Sequence, residues 1–298
     1  MKDKAASTLE RLKNQAKELD ITYQECLQLF AQEEFLRKLS KSKYADNFVL
    51  KGGYFIYTLT NFQSRPTVDV DFMLRHLETT PDTIQSVIEE IVNTPTGNDY
   101  IILTAKSFGE ISAQQKYKGI SAQIIAEIKK VRVHFSIDIG VGDVITPYAR
   151  LGTVATQLDD FEKPEIRTYS LESVIAEKFD AILKRFELTS RMKDFHDIYY
   201  LSQHFDFDGL VLLEALYETL LNRKTEYDGD SFNRIVNLVD DDGIVKRWRN
   251  FTKKTPGIES DFATVINGIR KFLGPVFNAL VKENQFFLKW AATKTEWS

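Results

Sequence analysis

Two segments of the sequence place glycines and carboxylates at spacings suited to phosphate and metal chemistry. Leu50-Lys51-Gly52-Gly53-Tyr54 is followed, after a short helical stretch, by Arg65-Pro66-Thr67-Val68-Asp69-Val70-Asp71-Phe72. Successive side chains of a strand point to opposite faces, so Asp69 and Asp71 project on one side while Val68, Val70 and Phe72 bury on the other. Two carboxylates side by side repel, which raises one pKa unless a cation sits between them, and a hard, oxygen-seeking ion such as Mg²⁺ is the natural occupant. A Gly-Gly pair ahead of a helix lets the backbone approach a ligand closely and aims N–H groups at a phosphate. Phosphate beside metal points to a nucleotide. Taken singly, the glycines also read as a turn and Asp-x-Asp as a solvated strand face; their order and spacing carry the joint case.

Further candidates lie downstream. The alternating run Val131 to Ile139 buries its odd-numbered residues, leaving Arg132, His134, Ser136 and Asp138 on the other face. Asp138 is thereby a third candidate carboxylate, with turn former or solubiliser as its plain reading, and His134 is read as structural or exposed. Over Leu171 to Phe186 the apolar residues form a helical stripe that contains Lys178. An ammonium there needs an anionic partner, unless it snorkels to the stripe's edge. Arg191-Met192-Lys193-Asp194-Phe195-His196-Asp197 sets Asp194 and Asp197 three apart on one helical face, with Asp194 alternatively an N-cap. The run Lys246 to Lys254 holds five positive charges and two aromatics, which suits single-stranded RNA but equally a solvated helix face with its rings turned inward.

The elements that must position these residues follow from the hydrophobic period. From Lys4 to Lys41 apolar residues recur at three and four, which predicts helices; from Phe48 to about Asp143 short alternating segments predict strands, including a hairpin that turns at Lys129-Lys130. Beyond Ser170 the helical period returns and is read as a helical bundle to the end, with breaks at Asp206 to Gly209, Asp240 to Gly243 and Thr255 to Gly257. The expected architecture is α+β: a mixed sheet core with N-terminal helices and an α-helical C-terminal domain, divided as 1–165 and 166–298. At 298 residues, with 43% hydrophobic and 28% charged residues and only 14 Gly and 7 Pro, the chain is neither collagenous nor disordered. The first twenty residues lack the apolar core of a secretion signal, no run approaches the length of a membrane span, and the single Cys26 can form no internal disulfide, so a cytoplasmic protein without membrane contact is expected. No Cys-x-x-Cys pair or His-x-x-x-His spacing offers a zinc cage, and a net charge of −4 confines any nucleic-acid contact to a local patch.

In order and pattern the set resembles the nucleotidyltransferase-like toxins of the AbiEii family, from abortive-infection and toxin–antitoxin operons and related to the mycobacterial MenT toxins. The family's Gly-Gly or Gly-Ser turn followed by Arg-x-Ser/Thr-x-Asp-(aliphatic)-Asp stands here as Gly52-Gly53 and Arg65 to Asp71. Its strand acid matches Asp138, its Ala-Glu-Lys is Ala176-Glu177-Lys178, and its Arg-x-Lys-Asp-x-x-Asp is Arg191 to Asp197. The resemblance spans about Phe48 to Leu201. It departs at Tyr54, where relatives often carry Thr or Ser, so a hydroxyl contact to phosphate is lost there.

The resemblance implies a nucleotidyltransferase fold, a nucleoside triphosphate used with Mg²⁺ or Mn²⁺, transfer of a nucleotide to RNA, with the acceptor end of tRNA as the expected target, and a cognate antitoxin. Carried over residue by residue, Asp69, Asp71 and Asp138 hold metal, with Asp138 alternatively accepting the acceptor's proton. Gly52, Gly53, Arg65, Thr67, Lys178 and Asp197 bind the nucleotide, and Asp194 orients Lys178 or the acceptor. Asp69→Ala and Lys178→Ala are each expected to remove activity without unfolding the chain. Competing readings are an Asp-x-Asp glycosyltransferase, in which Lys178 and Asp194 lack a role, a kinase-like phosphoryl transfer from the same pocket, and a non-catalytic nucleotide- or RNA-binding partner.

Overall fold

The computed structural model describes residues 3–67, 69–111, 119–255 and 257–298. Val68, assigned above to the buried face, and Pro256 lie outside the described residues. The chain divides into two compact units, residues 1–142 with 150–168, and residues 143–149 with 169–298.

The first unit opens with α1 (Lys4–Glu18) and α2 (Tyr23–Lys41). Thr22 and Glu25 form a reciprocal capping box that fixes where α2 starts. There follow β1 (Phe48–Lys51), α3 (Gly52–Leu59), β2 (Val70–Leu74), α4 (Pro81–Val92), β3 (Ile101–Ile111), β4 (Gly119–Ile128), β5 (Val131–Gly140), β6 (Arg150–Thr153) and β7 (Glu165–Thr168). The strands form one mixed sheet in the order β3-β4-β5-β2-β1-β7-β6. β2 runs parallel to β5 and β1 parallel to β7, while β1 and β2 are antiparallel. The expected hairpin is β4–β5, with Lys129 at φ 55° in its turn.

The face of the sheet carrying Phe48, Phe72 and Phe135 packs on α2: the Phe35 ring of α2 lies 6.1 Å from that of Phe72 and 6.5 Å from that of Phe135. α2 also buries charge. Arg37 Nε donates to Glu34 Oε2 at 2.8 Å, its Nη1 lies 3.7 Å from Glu33 Oε2, and Glu33 Oε1 accepts from the Gln157 amide at 3.0 Å. Burial pushes the Glu33 carboxyl up to about 7 against the opposing pull of Arg37.

The second unit contains α5 (Leu171–Leu183), α6 (Met192–His204), β8 (Phe207–Asp208), α7 (Gly209–Asn222), α8 (Ser231–Val236), α9 (Asp242–Lys254), α10 (Phe262–Val281), β9 (Lys289–Ala291) and β10 (Glu296–Trp297). α5 packs against α6 and α7, and α10 against α6, around the rings of Phe179, Phe232 and Phe277. The last residues correct the expectation that this half is helical throughout apart from its breaks: β8, β9 and β10 form a small antiparallel sheet in the order β10-β9-β8. Trp290 Nε1 donates to Ser202 O at 2.6 Å and Trp297 Nε1 to Phe272 O at 2.9 Å, so the tryptophans tie this sheet to the helices. Among the described residues no helix is long and apolar enough to cross a membrane.

Candidate active site

In the first unit the predicted site residues converge because of sheet register. Asp71 is the register partner of Asp138 across the parallel β2–β5 pair. Partners in adjacent strands share a face and stand roughly 4.8 Å apart, so two carboxylates from distant sequence lie side by side. Val70, Phe72, Ile137 and Ile139 are each at most 2% exposed, which sends Asp71 and Asp138 to the opposite face, where both are half-buried. Asp69 precedes β2 by one residue and is exposed.

The Gly-Gly turn meets this row directly. Gly52 has φ +73°, and a Cβ there would lie 2.2 Å from Asp71 Oδ2, so only glycine permits both the backbone conformation and the carboxylate's position. A Cβ on Gly53 would lie 3.0 Å from an Arg65 guanidinium nitrogen and 3.5 Å from Thr67 Oγ1. Thr67 Oγ1 also accepts from the Asp69 amide at 3.4 Å. Gly52, Gly53, Arg65, Thr67, Asp69, Asp71 and Asp138 therefore form one neighbourhood. The N-cap residue of α3, Lys51, makes no side-chain capping hydrogen bond to the helix the two glycines begin. Tyr54 does not join that neighbourhood: its side chain is wholly buried, and burial holds its hydroxyl well above the usual phenol range.

In the second unit Lys178 has the anionic partners its place in the apolar stripe requires. Its Nζ lies 3.1 Å from Asp194 Oδ1 and 2.6 Å from Asp197 Oδ2, and both carboxylates are almost completely buried. Asp194 also accepts from Arg191 Nε, and Arg191, not Asp194, is the N-cap of α6. Lys178 thus holds a buried ion-pair group together, so Lys178→Ala is expected to cost stability, a cost the sequence reading did not include. Glu177 has a different partner: Arg223 Nη2 lies 3.2 Å from Glu177 Oε1 and 2.8 Å from Asp143 Oδ1, with Nη1 3.1 Å from Asp180 Oδ2. Sequence reading missed Arg223, which no local pattern marks.

The remaining candidates take their plain readings. His134 is exposed. On α9 Trp248 is fully buried, and its Nε1 donates to Ser260 O at 3.1 Å, so its ring cannot stack on a base while Lys246, Arg249, Lys253 and Lys254 face solvent.

Among the described residues no group of three or more His, Cys, Asp or Glu stands ready to hold a metal ion. Mg²⁺, however, takes only one or two carboxylates from a protein when substrate phosphates and water supply its other ligands. The neighbouring carboxylates of Asp71 and Asp138, with Asp69 two residues along, fit an ion that arrives with a nucleotide.

The seven-stranded mixed sheet with its packed helices is a nucleotidyltransferase-like fold. A profile of the nucleotidyl transferase AbiEii toxin family, type IV toxin–antitoxin system, matches residues 34–280. The chain belongs to that family and is a nucleotidyltransferase of its toxin class. A provisionally assigned nucleotidyltransferase from H. pylori superposes with a TM-score of 0.50 at 14% identity, covering 89% of this chain and 100% of its own. JHP933 from Helicobacter pylori gives a TM-score of 0.48 at 12% identity, covering 88% of this chain and 95% of its own. No curated protein matches the chain.

Proposed function

We propose that the chain transfers a nucleoside monophosphate from a nucleoside triphosphate to an RNA hydroxyl, with the 3′ end of tRNA as acceptor, and that a cognate antitoxin counters this activity in the bacterial cytoplasm. The observation that carries the reading is the in-register pair Asp71–Asp138 beside a glycine turn whose Cβ positions are filled by Asp71, Arg65 and Thr67.

Asp69 and Asp71 would hold the divalent ion, Mg²⁺ or Mn²⁺, which when bound supplies charge neutralisation on the triphosphate. The chain's own groups do the rest. The N–H groups at the start of α3, with Arg65 and Thr67, seat the phosphates. The acceptor oxygen forms a bond to the α-phosphorus as the bond from that phosphorus to its bridging oxygen breaks. The electron pair leaves with pyrophosphate, and the hydroxyl proton passes to the Asp138 carboxylate. Lys178, with Asp194 and Asp197 holding its ammonium in place, enters the proposal on motif order alone, as a cation for the same reaction.

Release of pyrophosphate from an NTP in the presence of RNA tests the reading. Wild type releases it and Asp71→Asn does not, while γ-phosphate appearing on the RNA with release of the nucleoside diphosphate in its place would indicate phosphoryl transfer.

A further inference from the structure

The row containing Asp71 and Asp138 continues one strand further. Lys51, the last residue of β1, is the register partner of Asp71 across the antiparallel β1–β2 pair. Lys51, Asp71 and Asp138 thus form a line over β1, β2 and β5, on one face of the sheet. One row deeper on that face stand Val49, 0% exposed, and Met73, 4% exposed. The line of charge therefore marks where this face opens to solvent.

One ordinary explanation for a strand lysine fails here. Strands use lysine to blunt exposed edges, but β1 lies inside the sheet between β2 and β7. Phe48, Val49 and Leu50 are wholly buried, so Lys51 ends an otherwise apolar strand and is itself only half-buried. Its backbone runs straight into Gly52, whose φ of +73° begins the turn over Asp71. The lysine stem and the start of α3 consequently leave the same point of the chain.

We propose that Lys51 is a phosphate-binding residue of the nucleotide site, its ammonium meeting the polyphosphate on the side of Asp71 away from Asp138. The proposal rests on the nucleotide reading above. It gives the site a second cation beside Arg65, on the same strand-to-helix turn as the glycines, so that the phosphates lie between backbone N–H groups and a full positive charge. A purely structural Lys51 would instead serve as counter-ion to Asp71 and gain nothing from a ligand.

Inorganic tripolyphosphate is a suitable probe because it needs no knowledge of the base. Its binding to the full chain is measured by calorimetry, with MgCl₂ and with EDTA, for wild type, Lys51→Met, Lys51→Gln and Lys51→Arg, with folding checked by circular dichroism. Loss of a charged contact to phosphate predicts affinity at least roughly tenfold weaker in Lys51→Met and Lys51→Gln under both conditions, with most of it restored in Lys51→Arg. Wild-type affinity in whichever neutral variant folds would overturn the proposal and leave Lys51 a counter-ion, as would an equal loss in Lys51→Arg. Lys51-dependent binding without nucleotidyl transfer to RNA would reject the reaction while keeping the phosphate seat. Absence of tripolyphosphate binding in wild type would overturn both.

Discussion

Gly52 and Asp71 occupy one point in space, and the glycine's missing side chain makes room for the acid. Gly52→Ala would place a methyl 2.2 Å from the carboxylate at a φ unfavourable to any L side chain. We expect a loss of about 1–2 kcal/mol from the backbone conformation and a large fall in activity as Asp71 is displaced. Asp71→Asn keeps the shape but removes the charge, so activity should drop by roughly a hundredfold or more with an unchanged melting curve. An unaltered rate in either variant would remove Asp71 from the site. Glu33 makes a separate prediction. Its carboxyl titrates near 7 in the fold, above its ordinary 4.5, because burial outweighs the attraction of Arg37. The folded protein then holds a proton that the unfolded chain releases, so this group's stabilising effect is complete below about 4.5 and declines as pH rises through 7. Glu33→Gln should melt above wild type at pH 8, by about 1–3 kcal/mol, with the gap closing toward pH 5. Parallel melting curves at both pH values would show that the Glu33 proton is not linked to folding.

Among the elements, α5 and α6 are joined by the buried Lys178–Asp194–Asp197 group. Removing one partner leaves uncompensated charge in the interior, so Asp194→Ala should destabilise the helical unit by about 3–5 kcal/mol in urea. Trp248→Ala on α9 should cost about the same through the cavity it leaves, whereas Lys246→Ala and Arg249→Ala should be nearly neutral. A stable Asp194→Ala would mean that the group is solvated. Much of this level is legible in sequence. The three-and-four stripe of Leu171 to Phe186 locates α5 and shows Lys178 needing an anion, and alternation through Val131 to Ile139 gives β5 with Asp138 on its polar face. What escapes is non-local. β6 and β7 are four residues each, and β10 is two, too short to show a period. The C-terminal sheet is held by Trp290 and Trp297 hydrogen bonds to distant carbonyls, which no local pattern encodes. The alignment of Lys51, Asp71 and Asp138 depends on the register of three strands that are not consecutive in sequence, so each residue could be noticed but the line could not.

For the molecule as a whole, the sheet unit brings the carboxylates, the glycine turn and Lys51 together by register, and the helical unit holds the Ala-Glu-Lys lysine by buried ion pairs. Family membership over residues 34–280 makes this a toxin-class nucleotidyltransferase. The chemistry proposed for it is fixed by which phosphorus is attacked and which molecule receives the group. The most direct measurement incubates the full protein with Mg²⁺, total tRNA and each α-³²P-labelled NTP in turn, beside Asp69→Ala and Asp71→Asn. Label is expected on RNA with at least one nucleotide, lost in both variants and accompanied by pyrophosphate. RNA that stays unlabelled with every nucleotide while the protein still binds NTP, or label that persists in Asp71→Asn, would contradict the proposed transfer.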